Sequence, residues 1–409
     1  MRWLAGAASA EIAIKPGTPM AGYMARTGPS EGTLDPLTAS AVVILSDGHL
    51  FALIAVDLLG VDRDLVDEIA REAGIHAESI ALAASHTHSG PAGVIARIHP
   101  AEGGAVDPLL RGKIVSICGQ LVRSAMARLE PVDVSFGMAE VADIAANRND
   151  PDGPFDPAVR VIQATGLTGT PVATVVSFAC HPTILPAESR MISAEFPGAM
   201  RAALQVPGQL LFVNGAAGDI STRFTRQSQD AAEVERVGRT LAEAARAAIA
   251  TARPIEGELG RGVLKVNLPV RSASDVETAG DLVLVAESRL ATGNLSSAQR
   301  RIEQTRLQGA LMLERLAETD MAYVARSVEI PWWRLGDVRL IGIPGELFAS
   351  PGADLMESLP DSFLLGYTNG YVGYLPDRAA YANGLYEALA SPYADGVGED
   401  LVAALVSKL

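Results

Sequence analysis

The chain has 409 residues, of which 48% are hydrophobic and 20% charged, a composition that supplies a sizeable core and excludes a disordered chain. Its 48 acidic and 33 basic residues give a formal net charge of −15. We therefore expect no binding to nucleic acid or to anionic membranes, whose phosphates would repel the chain, although a cationic group on a ligand is compatible with this charge.

Short apolar runs and helical periodicity alternate irregularly through the first half of the chain. Turn residues Asp47 and Gly48 separate the first two runs, which predicts a hairpin or a pair of neighbouring strands there. In chain order we expect strands at 42–46 and 51–57, a helix at 63–72, a strand at 79–84, a helix at 109–129, strands at 132–136, 159–164 and 171–179, a helix at 196–204 and a strand at 209–214.

The second half continues the same mixture. We expect a long helix at 229–251, antiparallel strand pairs within 256–270 and 322–343, helical segments within 287–318, a helix at 346–356 and a terminal helix at 398–409. Strands and helices that mix without strict alternation predict a mixed α/β (α+β) fold, with mixed sheets covered by helices. The sequence contains no repeat or linker, and the best boundary, at 251–258, is weak, so we interpret residues 1–409 as one domain.

The cellular location is predicted from three absences in the sequence. The first residues carry one basic residue but only a short apolar stretch, unlike a secretory signal. No run approaches the roughly 18 apolar residues of a membrane span. The two cysteines, Cys118 and Cys180, form no disulfide framework. We therefore expect a cytoplasmic protein without stable membrane insertion, and its oligomeric state stays open.

Unusual polar residues follow four of the predicted strands, where ligand sites of α/β folds gather. The first such group contains His86 and His88, in a spacing common among zinc ligands. On an extended segment these two side chains would point to opposite sides, unless the chain turns, as the following Gly90 and Pro91 indicate. A single histidine after a strand is more often an ordinary loop residue, so this pattern alone is weak.

The other three strand ends add a histidine, a carboxylate and a group of phenols. His181 ends a very apolar run, where its imidazole needs either a backbone carbonyl or a metal as partner. Glu346 precedes a predicted helix, so it either caps that helix or supplies a metal ligand. Five of the eight tyrosines lie between Tyr367 and Tyr386, either packing under a loop or presenting hydroxyls to a site. Together these residue types make a plausible zinc constellation.

Residues 85–91 resemble the S-H-T-H-S-G-P signature of the neutral/alkaline (non-lysosomal) ceramidases. The resemblance covers essentially the whole chain, against the catalytic domain of that family. Further motifs similar to those of the family follow in the same order at Asn147-Arg148, Ala179-Cys180-His181-Pro182, Gly218-Asp219-Ile220-Ser221, Pro344-Gly345-Glu346 and Tyr371-Val372-Gly373-Tyr374.

The resemblance implies both a metal site and a set of catalytic residues. The family's zinc ligands correspond to His86, His181, Glu346 and Tyr374. Its other active-site residues correspond to His88, Arg148, Ser221 and Tyr386. The family's spacing to the later tyrosine favours Tyr374 over Tyr371 as the phenolic ligand.

The implied activity is that of a zinc-dependent amidohydrolase that acts on a lipid-like, ceramide-like N-acyl compound of sphingolipid metabolism. Zinc lowers the pKa of bound water to about 7, Arg148 and Tyr386 stabilise the developing oxyanion, and His88 carries a proton. Ser221 is either a nucleophile or a group that positions the carbonyl. Two alternatives stay open: the same site cleaving an ester, lactone or small polar amide, and a non-catalytic binding protein on the same scaffold.

Two departures from the family affect the expected substrate. Longer members carry a signal and a C-terminal immunoglobulin-like domain, and we expect this chain to be a single large catalytic domain without the latter. The net charge of −15 and the lack of a basic amphipathic segment disfavour docking on a membrane. We therefore expect a small-molecule or lipid-like N-acyl substrate and a pocket shorter than ceramide requires.

Overall fold

The secondary structure consists of many strands and ten helices in the part of the chain described by this computed structural model, residues 3–99, 102–103, 105–272, 276–292, 294–318, 324 and 326–409. The strands are β1 (Trp3–Glu11), β2 (Gly32–Thr33), β3 (Thr38–Ser46), β4 (His49–Val56), β5 (Ile80–Ala84), β6 (Arg97–His99), β7 (Glu102–Gly103), β8 (Glu130–Glu140), β9 (Ala146–Asn147), β10 (Ala158–Gly166), β11 (Pro171–Phe178), β12 (Met191–Ile192), β13 (Gln209–Asn214), β14 (Ile220–Ser221), β15 (Arg253–Pro254), β16 (Leu259–Asn267), β17 (Ser327–Leu335), β18 (Val338–Gly342), β19 (Glu346–Leu347), β20 (Ser362–Leu365) and β21 (Tyr374–Leu375). The α-helices are α1 (Arg63–Ala73), α2 (Pro108–Met126), α3 (Glu195–Leu204), α4 (Ala231–Ala250), α5 (Ala279–Ala291), α6 (Ser297–Glu318), α7 (Ala349–Ser358), α8 (Arg378–Ala382), α9 (Tyr386–Ala390) and α10 (Val397–Val406).

A nine-stranded mixed sheet lies at the centre of the fold. Its order is β13-β11-β10-β8-β1-β3-β4-β5, and β15 pairs with β8 at the weak predicted boundary. The outer pairs β11–β13 and β4–β5 are parallel, and the pairs between them are antiparallel. Strands such as β3 and β5 are buried along nearly their whole length, which explains their continuous apolar sequences.

Helices cover one face of this sheet, and a second sheet covers the other. Apolar residues of α1 and α2 pack on β3, β4 and β5, while α3 and α4 pack on β10, β11 and β13. On the opposite face, a four-stranded sheet of order β16-β17-β18-β20 buries Trp333 and Phe363 against the central sheet. Helices α7 and α10 cover the outer face of this second sheet. The result is a four-layered α/β/β/α arrangement, which confirms the predicted mixed α/β class with helix-covered sheets.

The predicted hairpin between β3 and β4 has a two-residue turn. Ser46 pairs with His49, and the two turn residues Asp47 and Gly48 both have left-handed backbones, with φ of 47° and 80°. This conformation is typical of a type I′ turn, whose twist matches that of the flanking strands. The Asp-Gly pair therefore closes a hairpin, which is the first of the two arrangements that the sequence predicted.

Most of the predicted elements are confirmed, with differences at their ends. The helix predicted over 109–129 ends at Met126, and the segment 287–318 belongs to two helices, α5 and α6. Residues 322, 323 and 325 of a predicted strand region lie outside the described residues. Among the helices that the structure describes, none has the length and apolarity needed to cross a bilayer.

One predicted boundary was wrong in a way that concerns the site. The helix expected over 346–356 begins only at Ala349, because Glu346 and Leu347 form the short strand β19. The backbone N–H of Glu346 donates to the carbonyl oxygen of Gly373 at 2.9 Å, and β19 runs parallel to β21. Glu346 therefore does not cap a helix, which removes the alternative interpretation of its carboxylate.

Candidate metal centre

The site begins where β5 ends, at a turn that brings two histidines together. His86 has a left-handed backbone with φ of 66°, a conformation that costs a non-glycine residue of order 1–3 kcal/mol. Its N–H donates to the carbonyl oxygen of Leu58 at 3.0 Å, which fixes the turn. The Nε2 atoms of His86 and His88 consequently lie 3.2 Å apart. The turn at His86 itself, ahead of Gly90 and Pro91, removes the expected divergence of the two side chains.

Backbone carbonyls orient the two deeply buried histidines. Nδ1 of His86 lies 2.6 Å from the carbonyl oxygen of Leu59, and Nδ1 of His181 lies 2.6 Å from that of Ala217. Because a carbonyl can only accept, each Nδ1 carries the proton and each Nε2 presents its lone pair on the opposite side of the ring. The ring of Tyr367 stacks on His86 with 4.0 Å between centroids and holds its plane.

Glu346 brings a carboxylate to the same place from the second sheet. Its Oε2 lies 3.0 Å from Nε2 of His181 and 3.5 Å from Nε2 of His86. Its other oxygen accepts a hydrogen bond from the hydroxyl of Tyr371 at 2.5 Å. Strands β19 and β21 are parallel, and Glu346 is the register partner of Tyr374. The backbones of the predicted carboxylate ligand and the predicted phenolic ligand are therefore adjacent.

The electrostatics of this group favour neutral imidazoles at His88 and His181 beside an ionised carboxylate at Glu346. Burial alone would raise the pKa of Glu346, but its close contacts with the rings of His86 and His181 hold that pKa well below its usual range. Burial, assisted by the charge of Arg148, lowers the pKa of His181 to about 4. Burial, together with repulsion from His86 and His181, lowers the pKa of His88 well below its usual range. Neutral imidazoles and ionised carboxylates are the forms that bind metals.

The donor set fits a small divalent cation. Among the described residues, His86, His88 and His181 form the group of metal-ligating side chains, with ligand atoms within 4.8 Å of one another. Ligand atoms about 2.0–2.2 Å from one tetrahedral zinc lie roughly 3.3–3.6 Å apart. Three of the separations, namely His86 to His88, His181 to Glu346 and His86 to Glu346, are 3.2, 3.0 and 3.5 Å, close to that spacing. His88 thereby joins the cluster as a candidate ligand, although the sequence predicted a catalytic role for it.

Arg148 reaches the site from the loop after β9. Its Nη2 lies 3.2 Å from the hydroxyl of Tyr374, and its Nε donates to Glu387 at 2.6 Å. Nη2 also donates to the carbonyl oxygen of Gly218 at 2.9 Å. Burial opposes the charge of Arg148, but attraction to Glu387 and to Tyr374 raises its pKa well above the usual value. A fixed positive charge therefore stands beside the predicted ligand Tyr374.

Ser221 and Tyr386 complete the predicted set. Ser221 lies in β14 and forms an isolated parallel bridge with His181, so its position is tied to a candidate ligand. The ring of Tyr386, at the start of α9, lies edge-on to that of Tyr374, with 6.0 Å between centroids. Burial raises the pKa of Tyr374 well above its usual value, and nearby Glu346 adds to the shift.

A cavity of about 410 Å³ opens above this group. All four residues predicted to be catalytic line it, and Tyr374 lines it as well. The lining residues among the predicted set are His88, Arg148, Ser221, Tyr374 and Tyr386. His86, His181 and Glu346 lie behind them and are essentially inaccessible to solvent. The structure thus brings all eight predicted residues to one place, with three of the predicted ligands beneath the floor of the cavity.

Three residues at the site were not assigned roles from the sequence. Tyr371 contacts Glu346, Tyr367 stacks on His86, and Glu387 holds Arg148. The concentration of tyrosines between residues 367 and 386 is the sequence feature that could have indicated Tyr367 and Tyr371. Tyr371 makes the hydrogen bond to Glu346, so the choice of Tyr374 as the phenolic ligand stays a prediction.

The fold, but not the sequence, matches known proteins. No protein-family model and no curated protein sequence matches the chain. The structure is similar to that of neutral ceramidase from Pseudomonas aeruginosa, with a TM-score of 0.77 and 18% identity over 99% of this chain and 73% of that one. It is also similar to a structure described as ceramidase complexed with C2, with a TM-score of 0.76 and 18% identity over 100% of this chain and 74% of that one. The chain therefore has a ceramidase-like fold.

Proposed function

We propose that the protein is a zinc-dependent amidohydrolase that cleaves the linear amide of an N-acyl compound. The observation that carries this proposal is the convergence of three imidazole Nε2 atoms and the carboxylate of Glu346 at the base of a polar cavity. The ceramidase-like fold supports it, because solved structures described as ceramidases match essentially the whole chain.

The proposed ligands are His86, His181, Glu346 and Tyr374, and His88 is assigned a separate role beside them. When bound, zinc polarises a carbonyl oxygen and lowers the pKa of water to about 7. The carbonyls that accept from Nδ1 of His86 and His181 keep both rings oriented before any metal arrives, which reduces the cost of assembling the site.

Arg148 has the charge and position to stabilise negative charge that develops on the substrate carbonyl. It lines the cavity, and Glu387 and the carbonyl of Gly218 hold its guanidinium in place. Such pre-positioned donors contribute roughly 3–4 kcal/mol to transition-state stability. The hydroxyl of Tyr386, on the same wall, is the second proposed donor.

His88 is the proposed proton carrier. It lines the cavity, and within the described residues its buried Nδ1 has no hydrogen-bond partner. A ring nitrogen without a partner can accept a proton and return it to the leaving amine. Replacing His88 by alanine separates this role from that of a ligand: a proton carrier would lose activity and keep the metal, whereas a ligand would lose both.

Ser221 is proposed to position the substrate carbonyl. Its hydroxyl oxygen accepts from the backbone N–H of Arg223 at 3.2 Å, and its surroundings do not form the strained strand-to-helix turn of a serine nucleophile. Within the part of the chain that the structure describes, no side-chain base is hydrogen-bonded to Ser221. Ser221→Ala should therefore lower kcat and leave the metal content unchanged.

The volume of the cavity favours the proposal that the substrate is smaller than ceramide. Its volume of about 410 Å³ lies at the small end of ligand sites, which span roughly 300–1,000 Å³. The test is a series of N-acyl amides of increasing chain length, beside matched esters and detergent-solubilised ceramide. We expect kcat/KM to pass through a maximum at short or medium acyl length. A rise that continues to long-chain ceramide would establish a plain ceramidase, and a preference for esters would establish the alternative reaction.

The location of the protein also remains a prediction. We propose a cytoplasmic enzyme that meets its substrate as a dispersed small molecule, as the net charge of −15 indicates. Fractionation of the source cells, followed by immunodetection of this chain, would test that location.

A further inference from the structure

Asn149 follows Arg148 in the loop after β9, and both residues line the cavity. The loop is held in shape by the side chain of Asn147, whose Oδ1 accepts from the backbone N–H groups of Asn149 at 3.0 Å and of Asp150 at 3.3 Å. Nδ2 of Asn147 in turn donates to Asp219 at 2.5 Å. This turn around an asparagine side chain fixes the point from which the side chain of Asn149 starts.

The buried carboxylate of Glu387 determines which way the carboxamide of Asn149 points. Nδ2 of Asn149 lies 3.2 Å from Oε2 of Glu387, whose other oxygen accepts from Nε of Arg148 at 2.6 Å. A carboxylate paired with an arginine can only accept hydrogen bonds, so the NH₂ end of the carboxamide must face it. Within the described residues, no group donates to Oδ1 of Asn149. That oxygen is therefore left as an acceptor for a ligand.

Glu387 thus holds two groups of different hydrogen-bonding character on the wall of one cavity. The guanidinium of Arg148 can only donate, whereas the free oxygen of Asn149 can only accept. In a trans secondary amide the C=O and the N–H point in opposite directions, so the two are recognised by separate groups, one a donor and one an acceptor. An ester has the same carbonyl and no N–H, and its bridging oxygen offers nothing to an acceptor.

We propose that Asn149 accepts a hydrogen bond from the N–H of the amide that is cleaved, and that it thereby determines a preference for amides over esters. This inference rests on the proposed amidohydrolase function and names the group that selects its bond type. Hydrolysis adds the hydroxyl of water to the acyl carbon and breaks the C–N bond, while the remaining proton of the water goes to the nitrogen. The N–H held by Asn149 is not transferred, so Asn149 acts in specificity and not as an acid or base.

The test compares the 4-nitroanilide of octanoic acid with 4-nitrophenyl octanoate, which differ in an N–H against an oxygen at the bond that is cleaved. The measured quantity is the ratio of kcat/KM for the anilide to kcat/KM for the ester. Asn149→Ala should lower this ratio about tenfold relative to the wild type, as expected for one lost hydrogen bond, and the loss should fall on the anilide. Gln308→Ala is the matched control, because it removes another exposed carboxamide that lines the cavity and should leave the ratio intact.

The ratio separates contact with the substrate from a merely structural role. If Asn149 only supported Glu387 and Arg148, its loss would disturb a donor to the carbonyl, which both substrates carry. Both rates would then fall alike and the ratio would stay unchanged. Asn149→Leu, which is closer in shape and also lacks the acceptor, replaces the alanine variant if circular dichroism shows that the latter is unfolded, and it should lower the ratio in the same way.

The outcomes also separate this inference from the proposed function. Hydrolysis of the anilide by the wild type, with an unchanged ratio in the folded Asn149 variants, would overturn the role of Asn149 and leave the amidohydrolase proposal standing. An equal fall of the ratio in Gln308→Ala would overturn that role as well. Hydrolysis of the ester alone by the wild type would overturn both, since the bond that is cleaved would then carry no N–H.

Discussion

Replacing Glu195 by glutamine should change how the stability of the protein depends on pH. Glu195 is fully buried at the start of α3; its Oε1 accepts from the backbone N–H of Leu185 at 2.7 Å, and within the described residues its Oε2 has no partner. Burial raises the pKa of this carboxyl to about 7, against the lowering effect of backbone N–H groups. The titratable or charged groups that act on it or feel its charge are Tyr23, Arg26, Asp35 and Cys180.

The magnitude follows from the difference between the folded and unfolded pKa values of Glu195. Between its ordinary value of 4.5 and about 7, the folded protein keeps the proton that the unfolded chain has released. The stability that the neutral carboxyl contributes is therefore complete below pH 4.5 and is lost as the pH rises to 7. At about 1.4 kcal/mol per pH unit, the loss amounts to roughly 3 kcal/mol.

Urea unfolding of the wild type and of Glu195→Gln between pH 4.5 and 8 measures this contribution of Glu195 to the free energy of unfolding. Glutamine has the shape of the neutral acid and cannot ionise, so the variant should gain roughly 3 kcal/mol relative to the wild type as the pH rises. The comparison cancels other groups that titrate in this range, such as Asp219, whose pKa burial raises to about 7. Parallel stability curves for the two proteins would refute the reasoning, because they would show that Glu195 is ionised in both states.

Two other substitutions test the contacts that hold Arg148 and His88 in place. Glu387→Ala leaves the buried charge of Arg148 without its partner and should cost about 3–5 kcal/mol of unfolding free energy, measured in urea; a loss below 1 kcal/mol would show that the pair is not desolvated. Gly22→Ala adds a Cβ that would lie 2.6 Å from Cα of His88 at a position with φ of 103°, so it should destabilise the protein, displace the proposed proton carrier and lower kcat. Gly17→Ala is its control, with φ of 89° and open space around the new Cβ; equal effects of the two would contradict the proposed contact.

The local elements could be predicted because their signals are local. The Asp47-Gly48 turn and the apolar run of β13 depend on neighbours in sequence, and both are found at the predicted positions. The face-to-face packing of the two sheets could not be predicted in the same way. Central strands such as β3 are apolar on both faces, so their sequences do not show whether a helix or another sheet covers them.

The site shows the same division between local and long-range information. The eight residues named from motif order line one cavity or lie directly behind it, but the alternation expected of an extended segment failed at His86, whose left-handed backbone no local residue pattern indicates. The role of Glu346 depends on the pairing of β19 with β21, a contact between distant segments. Arg223 and Arg226 also line the cavity, which the sequence did not indicate, because arginines in a polar turn are ordinary surface residues until the fold brings them to a cavity.

The metal content of the purified protein tests the central claim most directly. Elemental analysis of the wild type should find about one zinc per chain, and His86→Ala and His181→Ala should each lose it. Ser221→Ala should keep it, and circular dichroism should show that all four proteins are folded. His181→Asn offers a variant closer in shape if the alanine substitution unfolds the chain. Full zinc occupancy in folded His86 and His181 variants, or no metal in the wild type after growth with added zinc, would contradict the assignment of this site.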